Sequence, residues 1–202
     1  MNYKFPEIKT LSDVLPHVEG RSEFVVAERV FGTVVNYMVA KKDTFDMSGP
    51  DDVGGAIRRE CRGIKFDLDG NIIARPFHKF FNVGEREETH PNVLDFSVDH
   101  TVYTKEDGSM AHPIMFNGTV RWCTKMGLTD VSAYMDTFCA KNPKYNQFAR
   151  DCIADGYTPL FEYVGPFNKV VIEHKEENMV LLAVRNTITG EFVNINKENA
   201  KW

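Results

Sequence analysis

Apolar and polar residues alternate in short runs along most of this chain, and turn dipeptides separate the runs. In CRGIKFDLDGNIIARPF (61–77), two strand-like runs flank Asp69-Gly70. In PIMFNGTVRWCTK (113–125) two flank Asn117-Gly118, and VLLAVRNTITGEFVNI (180–195) repeats the pattern around Thr189-Gly190. Asp-Gly and Asn-Gly readily supply the positive φ that two-residue hairpin turns require, so these stretches predict β-hairpins. VYTKEDGS (102–109) fits the same scheme, with VYT strand-like and Asp107-Gly108 as a fourth hairpin turn.

Helical periodicity is scarcer. In LTDVSAYMDTFCAKN (128–142), Val131, Tyr134, Met135, Phe138 and Cys139 form one apolar stripe, with Thr129 or Asp130 as N-cap. A second helix is expected after Pro143, carrying Phe148, Cys152 and Ile153, and a short one near Ser12. KKDTFDMSGPDDVGG (41–55) is polar and rich in Gly and Asp, which predicts a surface loop. Strands, then helices, then strands, without βαβ alternation, argue for an α+β fold with an antiparallel sheet.

Composition narrows the class. A chain of 202 residues, 43% hydrophobic, can bury a sizeable core as one domain, or one and a small appendage. The net charge of −5 gives no global attraction for a polyanion, so such a partner would need a local basic surface. Cys61, Cys123, Cys139 and Cys152 are widely spaced without a C-x-x-C pair, which suits free thiols in a reducing compartment and offers no zinc site. No apolar run reaches membrane-spanning length and MNYKFPEIKT lacks a signal-peptide core, so no membrane partner is expected and the cytoplasm is the expected location.

Candidate chemistry starts at residues 58–79. Arg58, Arg59, Arg62, Lys65, Arg75 and Lys79 face only Glu60, Asp67 and Asp69 in that stretch. Two readings stand open, a phosphate site and a solvated strand face of mixed charge. The six histidines show no metal-ligand spacing. No nucleophile elbow, P-loop or dinucleotide-binding glycine turn is present, and GEREETH (84–90) reads as a solvated charged turn. Glu162 sits between Phe161 and Tyr163, so in a strand it points away from both and, if they face the core, into a cleft or solvent. Lys105 is open to two readings, a solvated lysine beside a glycine turn or a nucleophile. The second requires an environment that leaves some amine unprotonated.

The ordered segments resemble a known family. TKEDGS (104–109) resembles the K-x-D-G nucleotidyl-lysine motif of DNA ligases, RNA ligases and mRNA capping enzymes. ECRGIKFD (60–67) and ARPFHKFFNVGE (74–85) resemble the segments upstream of that lysine in the bacteriophage T4 RNA ligase 1-like family of ATP-dependent RNA ligases. LFEYVGP (160–166) resembles motif III, and VLLAVRNTITGEF (180–192) motif IIIa. The likeness, from about Tyr37 to Phe192, implies an α+β nucleotidyltransferase domain of the DNA/RNA ligase type over 1–202. It implies that Lys105 attacks the α-phosphate of ATP and becomes a lysyl-adenylate, with Mg²⁺ as metal. The AMP would pass to an RNA 5′-phosphate, which a 3′-hydroxyl then joins. By the same resemblance Tyr37, Arg62, Lys79, Glu106, Lys125 and Glu162 are the ATP-binding residues, with Glu162 at the ribose and Lys79 and Tyr37 at the triphosphate. Metal ligands are not assigned. The implied setting is the cytoplasm of a bacterial or phage-infected cell.

The likeness stops before motifs IV and V: nothing in 193–202 reads E-G-x-V, and Lys197 and Lys201 stand too far apart for K-x-K. On this reading the chain is the front portion of an adenylyltransferase domain. It is expected to need a complementary carboxy-terminal segment or to self-associate. The alternatives are a degenerate, non-catalytic module that binds nucleotide or RNA ends, and another covalent nucleotidyltransferase. The R-P-x-x-K-F-F segment (75–81) sets the RNA ligase reading ahead of the latter.

Overall fold

Strand faces and helix stripes assemble into four layers, helices–sheet–sheet–helices. The structure, a computed structural model, describes residues 4–195; Lys197 and Lys201 lie outside the described residues. The first antiparallel sheet has the order β1 (Phe24–Arg29), β2 (Gly32–Tyr37), β3 (Arg62–Phe66) and β4 (Ile72–Ala74). The second has the order β6 (Thr119–Cys123), β5 (Ser109–Phe116), β7 (Tyr157–Val164) and β8 (Asn178–Asn186). Helices α1 (Leu15–Val18) and α2 (Val53–Glu60) accompany the first sheet, and α3 (Asp130–Lys141) and α4 (Pro143–Ala154) the second.

The period of two in the strands builds the layers. On β2, Val35 faces α1 and α2 with Ile57, Ile64 and Phe66, whereas Val34 turns to the other sheet and meets Ala74, Ile114 and Cys123. On β5 and β6, Ala111 and Trp122 turn outward to Met135 and Cys139 of α3, while Ile114 and Cys123 turn inward. The α+β class with antiparallel sheets is therefore as the sequence implies. The four cysteines are buried and none is in a disulfide.

Several local expectations change. Asn117-Gly118 does close a tight hairpin, with φ of 49° and 71°. The Asp69-Gly70 connection is longer, running from 67 to 71, because the Asp67 carboxylate accepts the N–H groups of Asp69 and Asn71 and stabilises a wider loop. Beyond Thr189-Gly190 the chain returns on β8 through a single bridge, Arg185 to Phe192. The 41–55 segment is not loop throughout. Asp52 caps α2 by accepting the Gly55 N–H, and burial of Ala56 and Ile57 outweighs the low helix propensity of Gly54-Gly55. On α3, capped by Thr129, Tyr134 leaves the apolar stripe and stacks on Phe167 at the surface.

GEREETH also departs from a purely solvated turn. Glu88 pairs with buried Arg59 at 2.8 Å, and Arg86 with Asp46 at 2.7 Å. Of the basic residues between 58 and 79, Arg59, Lys65 and Arg75 are buried, so the stretch is not a solvated strand face. Glu60 receives Arg185 at 2.7 Å and Arg75 at 3.1 Å, all three side chains wholly buried, and this network joins the residue just after β4 of one sheet to β8 of the other. Burial alone would raise the Glu60 pKa, but the two guanidinium groups outweigh it and hold the carboxyl below its ordinary range.

Candidate active site

The K-E-D-G-S segment enters the second sheet without making a turn. Residues 101–107 run as irregular chain and β5 begins at Ser109, so there is neither a VYT strand nor a hairpin at Asp107-Gly108. The glycine serves a close approach instead. A Cβ at Gly108 would stand 2.1 Å from the Tyr163 carbonyl oxygen, so only glycine lets the segment lie against β7 at that point. Its N–H donates to Glu162 Oε1 at 3.0 Å.

Asp107 is committed to the same anchoring. Its carboxylate accepts the N–H groups of Ile172 (2.6 Å) and Val171 (2.7 Å), and these bonds hold its pKa below the usual carboxylate range. Ser109 donates to the Asn168 side chain at 2.8 Å, and Asn168 donates to the Tyr163 carbonyl at 2.8 Å. The loop after β7 thus fixes the segment that carries Lys105. Asn168 and the 171–172 backbone carry no sequence signal for this task, because the contact is made across the sheet.

Lys105 itself is exposed at the rim of a pocket of about 930 Å³. Arg62, Glu106, Lys125 and Glu162 line the same pocket. Glu162 reaches it because Phe161 and Tyr163 face the α3–α4 core, as the alternation requires. Its carboxyl is half-buried, and desolvation raises its pKa against the opposing Gly108 hydrogen bond. Arg62 rests its guanidinium over the Phe80 ring at 5.1 Å. Lys125 stands at the tip of the 124–127 turn after β6. Among the described residues Arg62, Lys105 and Lys125 form no ion pair. Phe77, Phe80, Met110, Val180 and Leu182 supply apolar wall. Val180 sits directly opposite Glu162 in the β7–β8 register, a placement that β-pairing and not local sequence decides.

Two of the seven residues lie outside this lining. Tyr37 stands behind Lys125, whose ammonium is 6.0 Å from its ring. Lys79 donates to the Phe80 carbonyl at 2.8 Å, sits 4.3 Å from the Phe81 ring and lies 3.6 Å from Glu85. The arrangement therefore gives three cations, two carboxylates and an apolar wall around a space within the usual range of a small-molecule site. No cluster of three or more His, Cys, Asp or Glu side chains fit to hold a metal ion occurs among the described residues. No helix there is long and apolar enough to cross a membrane.

Comparison with known proteins points the same way. A family profile described as RNA ligase, of the T4 RNA ligase 1 group, matches residues 60–201. A protein named "Putative RNA ligase" from Thermovibrio ammonificans is 32% identical over 192 residues, covering 94% of this chain and 48% of the relative. "RNA ligase 1" of Bacteriophage TS2126 is 29% identical over 169 residues, covering 79% of this chain and 40% of the relative. The chain spans less than half the length of each of these relatives. The profile takes in most of the chain and every pocket residue from Arg62 to Glu162, and on that match the chain belongs to the T4 RNA ligase 1-like family of RNA ligases.

Proposed function

We propose that this chain carries the adenylylation chemistry of an ATP-dependent RNA ligase, with Lys105 as the residue that receives AMP. The observation that carries the reading is the gathering of Lys105 with Arg62, Lys125 and Glu162 around one pocket. In its unprotonated form the Lys105 amine attacks the α-phosphorus of ATP. The bond from that phosphorus to the bridging oxygen breaks, pyrophosphate leaves and the amine proton goes to solvent. Arg62 and Lys125 neutralise the charge that develops on the phosphate oxygens, and being unpaired they need break no ion pair to do so. Glu162 accepts a ribose hydroxyl, and Phe77, Phe80 and Leu182 offer apolar surface to the base.

Glu106 suits a Mg²⁺ ion that arrives with the triphosphate, since Mg²⁺ keeps waters and can be bound through one carboxylate plus substrate phosphates. There the ion would neutralise phosphate charge. Lys79 and Tyr37 form an outer ring, and Lys79 must leave Glu85 to reach a phosphate. In the second half of the reaction the RNA 5′-phosphate oxygen takes the adenylyl group from Lys105. A 3′-hydroxyl oxygen then attacks the 5′-phosphorus and displaces AMP. The test is joining of a 5′-phosphorylated RNA oligonucleotide with ATP and Mg²⁺. Sealed RNA and an AMP-capped intermediate are expected, and both should vanish in Lys105→Ala. Joining by Lys105→Ala at the wild-type rate would overturn the reading.

A further inference from the structure

Lys65 projects from β3 into the space between the two sheets with none of its surface exposed. Its ammonium donates to the carbonyls of Gly63 (2.8 Å) and Thr124 (3.0 Å). No carboxylate pairs with it among the described residues. The titratable and charged groups that face it are Cys123 on β6, Arg29 on β1 and His112 on β5. His112 is itself wholly buried with neither ring nitrogen hydrogen-bonded, so it adds no compensating charge. A buried cation held only by carbonyls costs folding free energy that a methionine of similar length would not. Stability therefore does not account for a lysine here.

The position of its two acceptors does. Gly63 follows Arg62, and Thr124 precedes Lys125, so one ammonium holds the backbone beside both pocket cations. The two backbones touch at the same place. With φ of +91° at Gly63, a Cβ there would lie 2.5 Å from the Lys125 carbonyl oxygen. Lys125 rides on a turn in which Thr124 and Gly127 exchange two N–H···O bonds of 3.0 Å, and Arg29 donates to Met126 O at 3.2 Å. The turn belongs to the second sheet and every one of these outside contacts comes from the first.

We propose that Lys65 is a positioning residue: it clamps the 124–127 turn to β3 and so sets Arg62 and Lys125 against one wall of the pocket for a nucleoside triphosphate. The inference rests on the nucleotide reading of that pocket. Burial, with Arg29 adding to it and Cys123 opposing, brings the Lys65 pKa down to about 8. As pH rises through that value the charge that strengthens both carbonyl bonds is lost, and the clamp slackens.

The experiment measures binding of α,β-methylene-ATP by calorimetry across about pH 7 to 9.5, a range that brackets an ionisation this far below an ordinary lysine. The full chain is compared with Lys65→Met, each also in a Lys105→Ala background so that the nucleophile contributes nothing to the profile. Wild-type affinity is expected to fall as pH passes about 8. Lys65→Met should bind about tenfold or more weakly at pH 7, without that break, because displaced cations lose charge-assisted contacts. Its melting temperature should equal or exceed that of the wild type. Equal affinity and an unchanged profile in Lys65→Met would overturn the proposal. If Lys65→Met does not fold, a wild-type profile without a break near pH 8 overturns it equally. A wild-type chain that takes no nucleotide at any pH would sink the nucleotide reading and this inference together.

Discussion

Glu60 and Arg62 stand two residues apart, yet the charges around them end in opposite environments. Behind β3, Glu60 is closed between Arg75 and Arg185, with no side chain of the three exposed and the free N–H groups of the arginines spent on carbonyls such as those of Pro6 and Gly190. In front, Arg62 shares a pocket with Lys105 and Lys125, and none of the three has an ion-pair partner among the described residues. The first set has satisfied its charge within the protein and can only hold the two sheets together. The second holds positive charge facing a cavity in a protein whose net charge is −5, which leaves it available to an anionic ligand.

The comparison breaks if the two sets respond alike to substitution. The largest effect is expected at the closed set. Arg185→Met leaves the wholly buried Glu60 carboxylate short of its nearer partner, so a loss of about 3–5 kcal/mol is expected in urea unfolding. An unaffected unfolding midpoint would show that the network carries none of the sheet-to-sheet attachment. At the open set the graded expectation is Arg62→Ala and Lys125→Ala first, each weakening ATP binding about tenfold or more through loss of a charged hydrogen bond. Lys79→Met should weaken it less, because that ammonium already engages Glu85 and Phe81. Arg62→Ala and Lys125→Ala, which break no ion pair, should keep stability within about 0.5 kcal/mol. A binding loss at Lys79 larger than at Arg62 would reverse the order of inner and outer cations.

How far the sequence shows this depends on the distance over which each feature is decided. Asn117-Gly118 and the stripe on α3 are legible because their cause is local: a positive-φ turn and a period of 3.6. The β1–β2 hairpin has Val30-Phe31 at its tip and no Asn-Gly or Asp-Gly to mark it. Helix α2 hides behind Gly54-Gly55, since its support is Asp52 on one side and buried Ala56 and Ile57 on the other. Glu162 is placed by alternation alone, and Lys105 by a motif whose companions come in order. The basic run from Arg58 to Lys79 is the instructive failure. Neither a solvated face nor a uniform phosphate site describes it, because burial of Arg59, Lys65 and Arg75 depends on partners as distant as Glu88, Thr124 and Ile188. Only the fold separates Arg62 from its neighbours.

The central claim is that the open cations surround a lysine that takes up AMP. Its most direct test is the intact mass of the full chain after incubation with ATP and Mg²⁺, followed by peptide mapping. One added AMP is expected, carried by the peptide that contains Lys105 and stable to denaturation. Lys105→Arg, which stays protonated and is a poor nucleophile, should bind ATP yet show no added mass. AMP on a different lysine, or an adduct that persists in Lys105→Arg, would contradict the assignment.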